Sequence, residues 1–333
     1  MACSRLSLQS LPWNIIQMTI DIIMRGDQLG HSSTKLEQLR FVNSCLPLLG
    51  VSRSWRAMAL KYLCREYSIH LDSSTNSIAT EFTLWAEPMR HKHSDFYCLI
   101  NSMTVSARSK DIFSGKAFMQ LYGLKCAVGS FGSVKSLNVI LLDCVNDDLS
   151  DMPVALKHAK HFVAFVKQLM PLVNSVQIEY DGEMESHNSV SCRAFKRLLG
   201  GLYSGADTRH LTLVNSGFLL PAASTTALSL TKIETTWDTC FDETIELIRM
   251  SNATLQELEV SCAQSTKLSK ILERRNEDSQ LLVYPNMRVL HLSSGNITRY
   301  RCKLFPQNYA PFPRLEKLSL DLVYPFSDDL QNI

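Results

Sequence analysis

One spacing recurs along the chain and restricts what it can build: an aliphatic residue, two arbitrary residues, then two apolar residues separated by one other. It occurs at Val134, Leu137 and Val139; at Val173, Val176 and Ile178; at Leu255, Leu258 and Val260; at Met287, Leu290 and Leu292; and at Leu315, Leu318 and Leu320. Two further copies carry Thr at the first position, namely Thr208, Leu211 and Leu213, and Thr225, Leu228 and Leu230. Residues two apart on a strand project from the same face, so each copy predicts a short strand with one apolar side. Successive middle positions lie 39, 35, 17, 30, 32 and 28 residues apart. Most of these intervals accommodate one strand and one helix.

The intervening segments carry helical stripes. Ala159, Phe162, Val163, Val166, Leu169 and Met170 recur at three- and four-residue spacing, and Phe195, Leu198, Leu199, Leu202 and Tyr203 repeat it after a cap expected at Ser191. Shorter versions are Phe241, Ile245 and Ile248, and Leu268, Ile271 and Leu272. The interval of 17 leaves no room for a helix, and an irregular loop through Leu219, Leu220 and Pro221 is expected there. A helix that returns each strand to the same edge gives a parallel sheet. Near-identical units then stack with strands on the concave side and helices on the convex side. The expected class is therefore α/β, an irregular solenoid. The residues between the apolar pairs, Asn138, Gln177, Thr212, Ser229, Glu259, His291 and Ser319, are polar. They are the candidate contacts to a target protein on the open face. The alternative is a doubly wound sheet with helices on both faces; the scarcity of glycine-rich turns and the regularity along one edge favour the solenoid. The array resembles leucine-rich repeats, with units longer and less regular than usual.

A helical module precedes these repeats. Leu11-Pro12-Trp13-Asn14-Ile15-Ile16 is followed by Ile20 and Ile23, with Pro12 suited to a first helical turn. After a polar stretch, Leu46-Pro47-Leu48-Leu49-Gly50-Val51-Ser52-Arg53-Ser54-Trp55-Arg56 starts a second amphipathic helix, with Val51, Trp55 and either Met58 or Ala59 on one side and Arg53, Arg56 and Lys61 elsewhere. The Leu-Pro start and the Val-Ser-Arg-x-Trp-Arg end resemble an F-box, most closely the diverged F-box-like proteins of some fungi in which leucine-rich repeats follow. The resemblance covers about the first sixth of the chain. It implies docking to a Skp-family adaptor, and through it a cullin, by Leu11, Pro12, Ile15, Ile16, Ile20, Leu49, Val51 and Trp55. The module would span residues 8–66 and the repeats 67–333. Two features depart from the family: Asn14 stands where an acidic residue is usual, and Arg25 to Glu37 lengthens the connection. The alternative is a plain helical cap on the repeats, giving a scaffold with no ligase role.

Between module and repeats, Tyr67, Ile69 and Leu71 alternate as a strand does. Glu81 to Trp85 fits either a strand or a helix. Asp95 to Val105 is expected to be a helix with Phe96, Leu99, Ile100 and Met103 on one face, and Ile112 to Leu124 another, ended by Gly129 and Gly132. After the last strand, either Tyr324 to Ile333 caps the final unit or the protein continues.

Composition narrows the function classes. A net charge of +2 gives no reason to expect nucleic acid or an anionic membrane, and Lys157 to His161 reads as the solvated side of a helix. Ten dispersed cysteines, none in a Cys-x-x-Cys pair, suit thiols kept in a reducing compartment, cytoplasm or nucleus. No leader or membrane-spanning run is expected near the N-terminus. Phosphate-loop, nucleophile-elbow and zinc-protease motifs are missing, so neither catalysis nor a cofactor is expected. His91 and His93 read as a solvated loop rather than metal ligands. Asp147-Asp148 and Asp328-Asp329 read as complements to helix dipoles. Trp85, Trp237 and Tyr300 read as core residues, with Trp237 the one placed to reach a binding rim.

Overall fold

A computed structural model describes residues 14–16, 18, 48–71, 78–90, 96–142, 152–181, 190–203, 207–216, 229–237, 242–262, 282–294 and 310–322. Two helices open the continuous part, α1 (Leu48–Val51) and α2 (Arg53–Leu63). There follow β1 (Glu66–Leu71), α3 (Ile78–Arg90), a 3-10 turn (Phe96–Leu99), β2 (Ser102–Arg108), α4 (Ser109–Phe113), α5 (Lys116–Val128) and β3 (Ser136–Leu142). The remainder is α6 (Met152–Leu169), β4 (Ser175–Asp181), α7 (Val190–Tyr203), β5 (His210–Val214), β6 (Lys232–Trp237), α8 (Asp242–Met250), β7 (Glu257–Cys262), β8 (Val289–Ser294) and β9 (Lys317–Leu322).

Among the described residues nine strands occur, all parallel and side by side in the order in which they occur in the chain. A doubly wound sheet reverses that order at a switch point; this one does not, so the doubly wound alternative is excluded. Every strand after β1 begins in the same way. Two successive backbone N–H groups donate to one carbonyl of the preceding unit: Asn101 and Ser102 to Arg65, Lys135 and Ser136 to Asn101, Asn174 and Ser175 to Lys135, Arg209 and His210 to Asn174. The series continues with Thr231 and Lys232 to Arg209, Gln256 and Glu257 to Thr231, Arg288 and Val289 to Gln256, and Glu316 and Lys317 to Arg288. This clamp fixes the register of each unit on the one before, whatever the length of the crossover between them.

The apolar spacing is thereby extended to nine units. Cys64, Tyr67 and Ile69 form the first, and Ile100, Met103 and Val105 the second. The segment expected as a helix over 95–105 is instead a 3-10 turn leading into β2. Met103, Val105 and Ala107 supply a strand period there, and pairing with both β1 and β3 prevails over the helical spacing of Phe96, Leu99 and Met103. A second correction concerns the copy expected at Thr225, Leu228 and Leu230. Leu230 is the first position of its unit, followed by Ile233 and Thr235, and the strand is β6. Thr235 tolerates a buried position because its hydroxyl donates to the Glu259 carbonyl at 3.4 Å.

The helices pack against the face carrying these apolar pairs. Leu121, Leu124, Phe162, Val166, Leu169, Leu198, Leu202 and Ile248 share one continuous core with Met103, Leu137, Val176, Leu211, Ile233, Leu258 and Leu290. Glu81 to Trp85 resolves as helix, with Phe82 and Trp85 packed on Tyr67 at ring distances of 5.2 and 4.5 Å. The helix expected over 112–124 is two helices. They break at Gly115, whose φ of +81° suits glycine and whose α-carbon faces the His158 ring. That ring's Nδ1 bonds the Phe113 carbonyl at 2.7 Å, while Lys157 and Lys160 of the same helix are exposed. α7 begins at Val190, so Ser191 sits inside its first turn rather than capping it. The expected helix at Leu268, Ile271 and Leu272, the expected loop at Leu219 to Pro221, and the possible cap at Tyr324 to Ile333 lie outside the described residues.

Candidate interaction surfaces

Two surfaces can be built from the residues upward, the N-terminal helices and the sheet face opposite the core. On the first, Ser52 separates α1 from α2 and accepts a hydrogen bond at its Oγ from the Trp55 N–H at 3.3 Å, while its carbonyl receives the Arg56 N–H at 2.9 Å. Ser52 is therefore the N-cap of α2 and Trp55 sits three residues into it. The cap sets the phase that turns Trp55, Met58 and Ala59 inward and leaves Arg53, Ser54, Ala57 and Lys61 in solvent. Ala59, Leu60 and Cys64 join the continuous core of the sheet; Trp55 and Met58 are buried outside it.

Residues 14–16 and 18 are helical. Ile16 is 1% and Trp55 3% exposed, whereas Ile15 is 39% and Met18 58% exposed. Of the residues expected to meet an adaptor, Ile16 and Trp55 are thus enclosed within the chain. Ile15 presents apolar surface, Met18 adds to it three residues on, and Val51 is half-buried. Met18 is not among the expected residues, although its spacing from Ile15 places it on the same side of a helix. Leu49 lies in α1. Leu11, Pro12 and Ile20 lie outside the described residues.

On the second surface, strand pairing aligns one residue from each strand into a single row: Ser68, Thr104, Asn138, Gln177, Thr212, Glu234, Glu259, His291 and Ser319. Six of the seven residues expected on this face are in the row. Ser229 is not, because it precedes β6, and Glu234 takes its place. Ser68 and Thr104 join the row without having been expected there; the helical spacing of residues 95–105 masks the strand that carries Thr104.

The row differs along its length. Over β2 and β3 it is sheltered: Thr104, Ser106, Asn138 and Ile140 are all buried. Thr104 donates to the Glu66 carboxylate at 3.1 Å, and His70 Nδ1 lies 2.6 Å from Ser106 Oγ. Asn138 is only 7% exposed, yet its Oδ1 has no hydrogen-bond partner. A buried amide oxygen left without a donor is costly. From β5 to β8 the face is half-exposed and charged. Thr212 donates to Glu234 at 3.1 Å; Lys232 pairs with Glu234 and, at 3.5 Å, with Glu257; His291 Nδ1 lies 3.8 Å from Glu259. The Lys232 ammonium is held above its usual pKa, chiefly by its hydrogen bond to Glu234.

No protein-family model matches the sequence, and no curated protein is significantly similar to it.

Among the described residues no cluster of three potential metal ligands occurs, and no helix is long and apolar enough to cross a membrane. Cys64 is a buried thiol, pushed up to about 12 by burial, and Cys98 and Cys126 are exposed free thiols. Trp85 is a core residue; Trp237 ends β6, in register with Cys262. His91, His93, Asp147, Asp148, Tyr300, Asp328 and Asp329 lie outside the described residues.

Proposed function

We propose that this chain is a non-catalytic substrate receptor of a Skp-cullin-F-box type ubiquitin ligase, acting in the cytoplasm or nucleus. In this reading the nine strand-and-crossover units are irregular leucine-rich repeats. The N-terminal helices dock a Skp-family adaptor, which brings the cullin, and the polar row on the open face holds a target protein. The observation that carries the reading is the apolar surface of Ile15 and Met18, left exposed while Ile16 and Trp55 are enclosed. The two lie three residues apart in a helical segment, a spacing that sets them on one side where a single partner could cover both. Asn138, with its unpartnered oxygen, is the residue of the row through which a target is held.

The test is capture of the adaptor by the full chain and by an Ile15→Asp, Met18→Asp pair. These positions are exposed, so the variant is expected to keep its unfolding midpoint and lose the adaptor. Retained capture would overturn the docking role.

A second reading, a scaffold without ligase function whose N-terminal helices only close the core, is favoured by one observation. Ala59, Leu60 and Cys64 of the helical module belong to the same core as the repeats. It predicts that wild-type protein captures no adaptor and that removing residues 1–63 unfolds the first repeat.

A further inference from the structure

The clamp that sets the register also lines up the residues that form it. Arg65, Asn101, Lys135, Asn174 and Arg209 each stand one position before a strand, side by side along one rim of the sheet. All five are exposed. Their order alternates: cation, amide, cation, amide, cation. The alternation ends there, with Thr231, Gln256 and an Arg288 whose Nε lies 3.7 Å from the Glu316 carboxylate. Among the described residues Arg65, Lys135 and Arg209 have no carboxylate partner. Arg209 donates one N–H to the Ser229 carbonyl at 3.4 Å, and Glu66, next to Arg65, accepts instead from Thr104.

This spacing selects a ligand. Neighbouring strands are about 4.8 Å apart, so the cations recur about every 9.6 Å. Between them a carboxamide offers one donor and one acceptor, the complement of a peptide unit. A polyproline II segment has three residues per turn and rises about 3.1 Å per residue, which brings every third side chain to the same side about 9.3 Å apart. Its backbone groups make no internal hydrogen bonds and are open to the amides. A β-strand fits less well, because residues three apart project to opposite faces. Nucleic acid fits less well too: a strand of B-DNA carries a phosphate about every 3.4 Å, so about six phosphates would meet three cations over the same span.

We propose that this rim of the first five units binds an acidic peptide in the polyproline II conformation. Asp or Glu at every third position pairs with Arg65, Lys135 and Arg209, and the peptide backbone bonds to Asn101 and Asn174. The site is distinct from the N-terminal helices and from the polar row, so it stands whether or not the chain docks an adaptor.

Fluorescence anisotropy of the full chain with a labelled proline peptide carrying glutamate at every third residue tests the assignment. Binding is expected to be about tenfold or more tighter than to a peptide of the same composition whose glutamates are adjacent. Lys135→Glu, at the middle of the row, weakens it by about tenfold or more, and the Asn101→Ala, Asn174→Ala pair by about fivefold. Lys110→Glu makes the same change of charge at an exposed position beyond the opposite end of β2, and leaves binding within about twofold. All four positions are exposed, so unchanged melting curves are expected. No binding at the highest concentration reached, equal affinity for the two peptides, or an oligothymidylate bound as tightly as the spaced peptide would overturn the proposal. So would a loss on Lys110→Glu as large as that on Lys135→Glu.

Discussion

Asn138 offers a direct measure of what an unsatisfied group costs on this sheet. It lies between Thr104 and Gln177 in the polar row, with the buried Ile140 two residues on along the same face, and its Oδ1 is unpartnered. Leucine has the same branching and a similar size, so Asn138→Leu replaces the amide with little change of shape. Removing an unsatisfied buried acceptor recovers about 1–3 kcal/mol. Apolar packing of the new side chain against Ile140 adds to this, while its poorer match to the polar Thr104 and Gln177 subtracts from it. A net stabilisation of about 1–2 kcal/mol is expected, which for a chain of this size corresponds to a rise of roughly 1–3 °C in midpoint. The assay is thermal unfolding followed by circular dichroism, with urea unfolding as the equilibrium check. The same variant is expected to lose the target, because the leucine can no longer accept a hydrogen bond from a partner. A fall in midpoint would refute the reasoning: it would mean that the amide oxygen is satisfied in solution and that its burial is ordinary.

Two further outcomes follow from single contacts. Ser52→Ala removes the side-chain acceptor of the Trp55 N–H at the start of α2 and is expected to cost about 1 kcal/mol in urea unfolding; an unchanged midpoint would show that the cap contributes nothing. Burial pushes the Cys64 thiol from its ordinary 9.0 up to about 12, so the folded chain keeps a proton that the unfolded chain loses. That contribution is fully present below pH 9 and is lost as pH rises, by about 1.4 kcal/mol for each unit between 9 and 12. Tyr67 and Tyr203, also raised by burial, act in the same direction only above their ordinary 10.0. Comparison of wild type with Cys64→Ala between pH 9 and 10 isolates the thiol, and identical slopes would sink the assignment.

The repeated apolar spacing is enough to establish strands, their parallel pairing and most of the polar row. Two residues on a strand share a face only at a spacing of two, and a strand with one apolar side needs helices over that side. The long stripe from Ala159 to Met170 is equally legible, because many turns of consistent period leave no alternative. Short segments are not. Phe96, Leu99, Ile100 and Met103 satisfy a helix, and Met103, Val105 and Ala107 satisfy a strand; the arbiter is the Arg65 carbonyl, which receives both the Asn101 and the Ser102 N–H. Leu228 and Leu230 imitate a repeat more closely than Ile233 and Thr235 do. Only a neighbouring strand can show that Thr235 is buried with its hydroxyl satisfied by Glu259. Exposure is likewise decided in three dimensions. Ile15 and Ile16 are adjacent and chemically identical, yet one is in solvent and the other enclosed. Periodicity fixes which residues share a face, whereas what covers that face depends on segments distant in the chain.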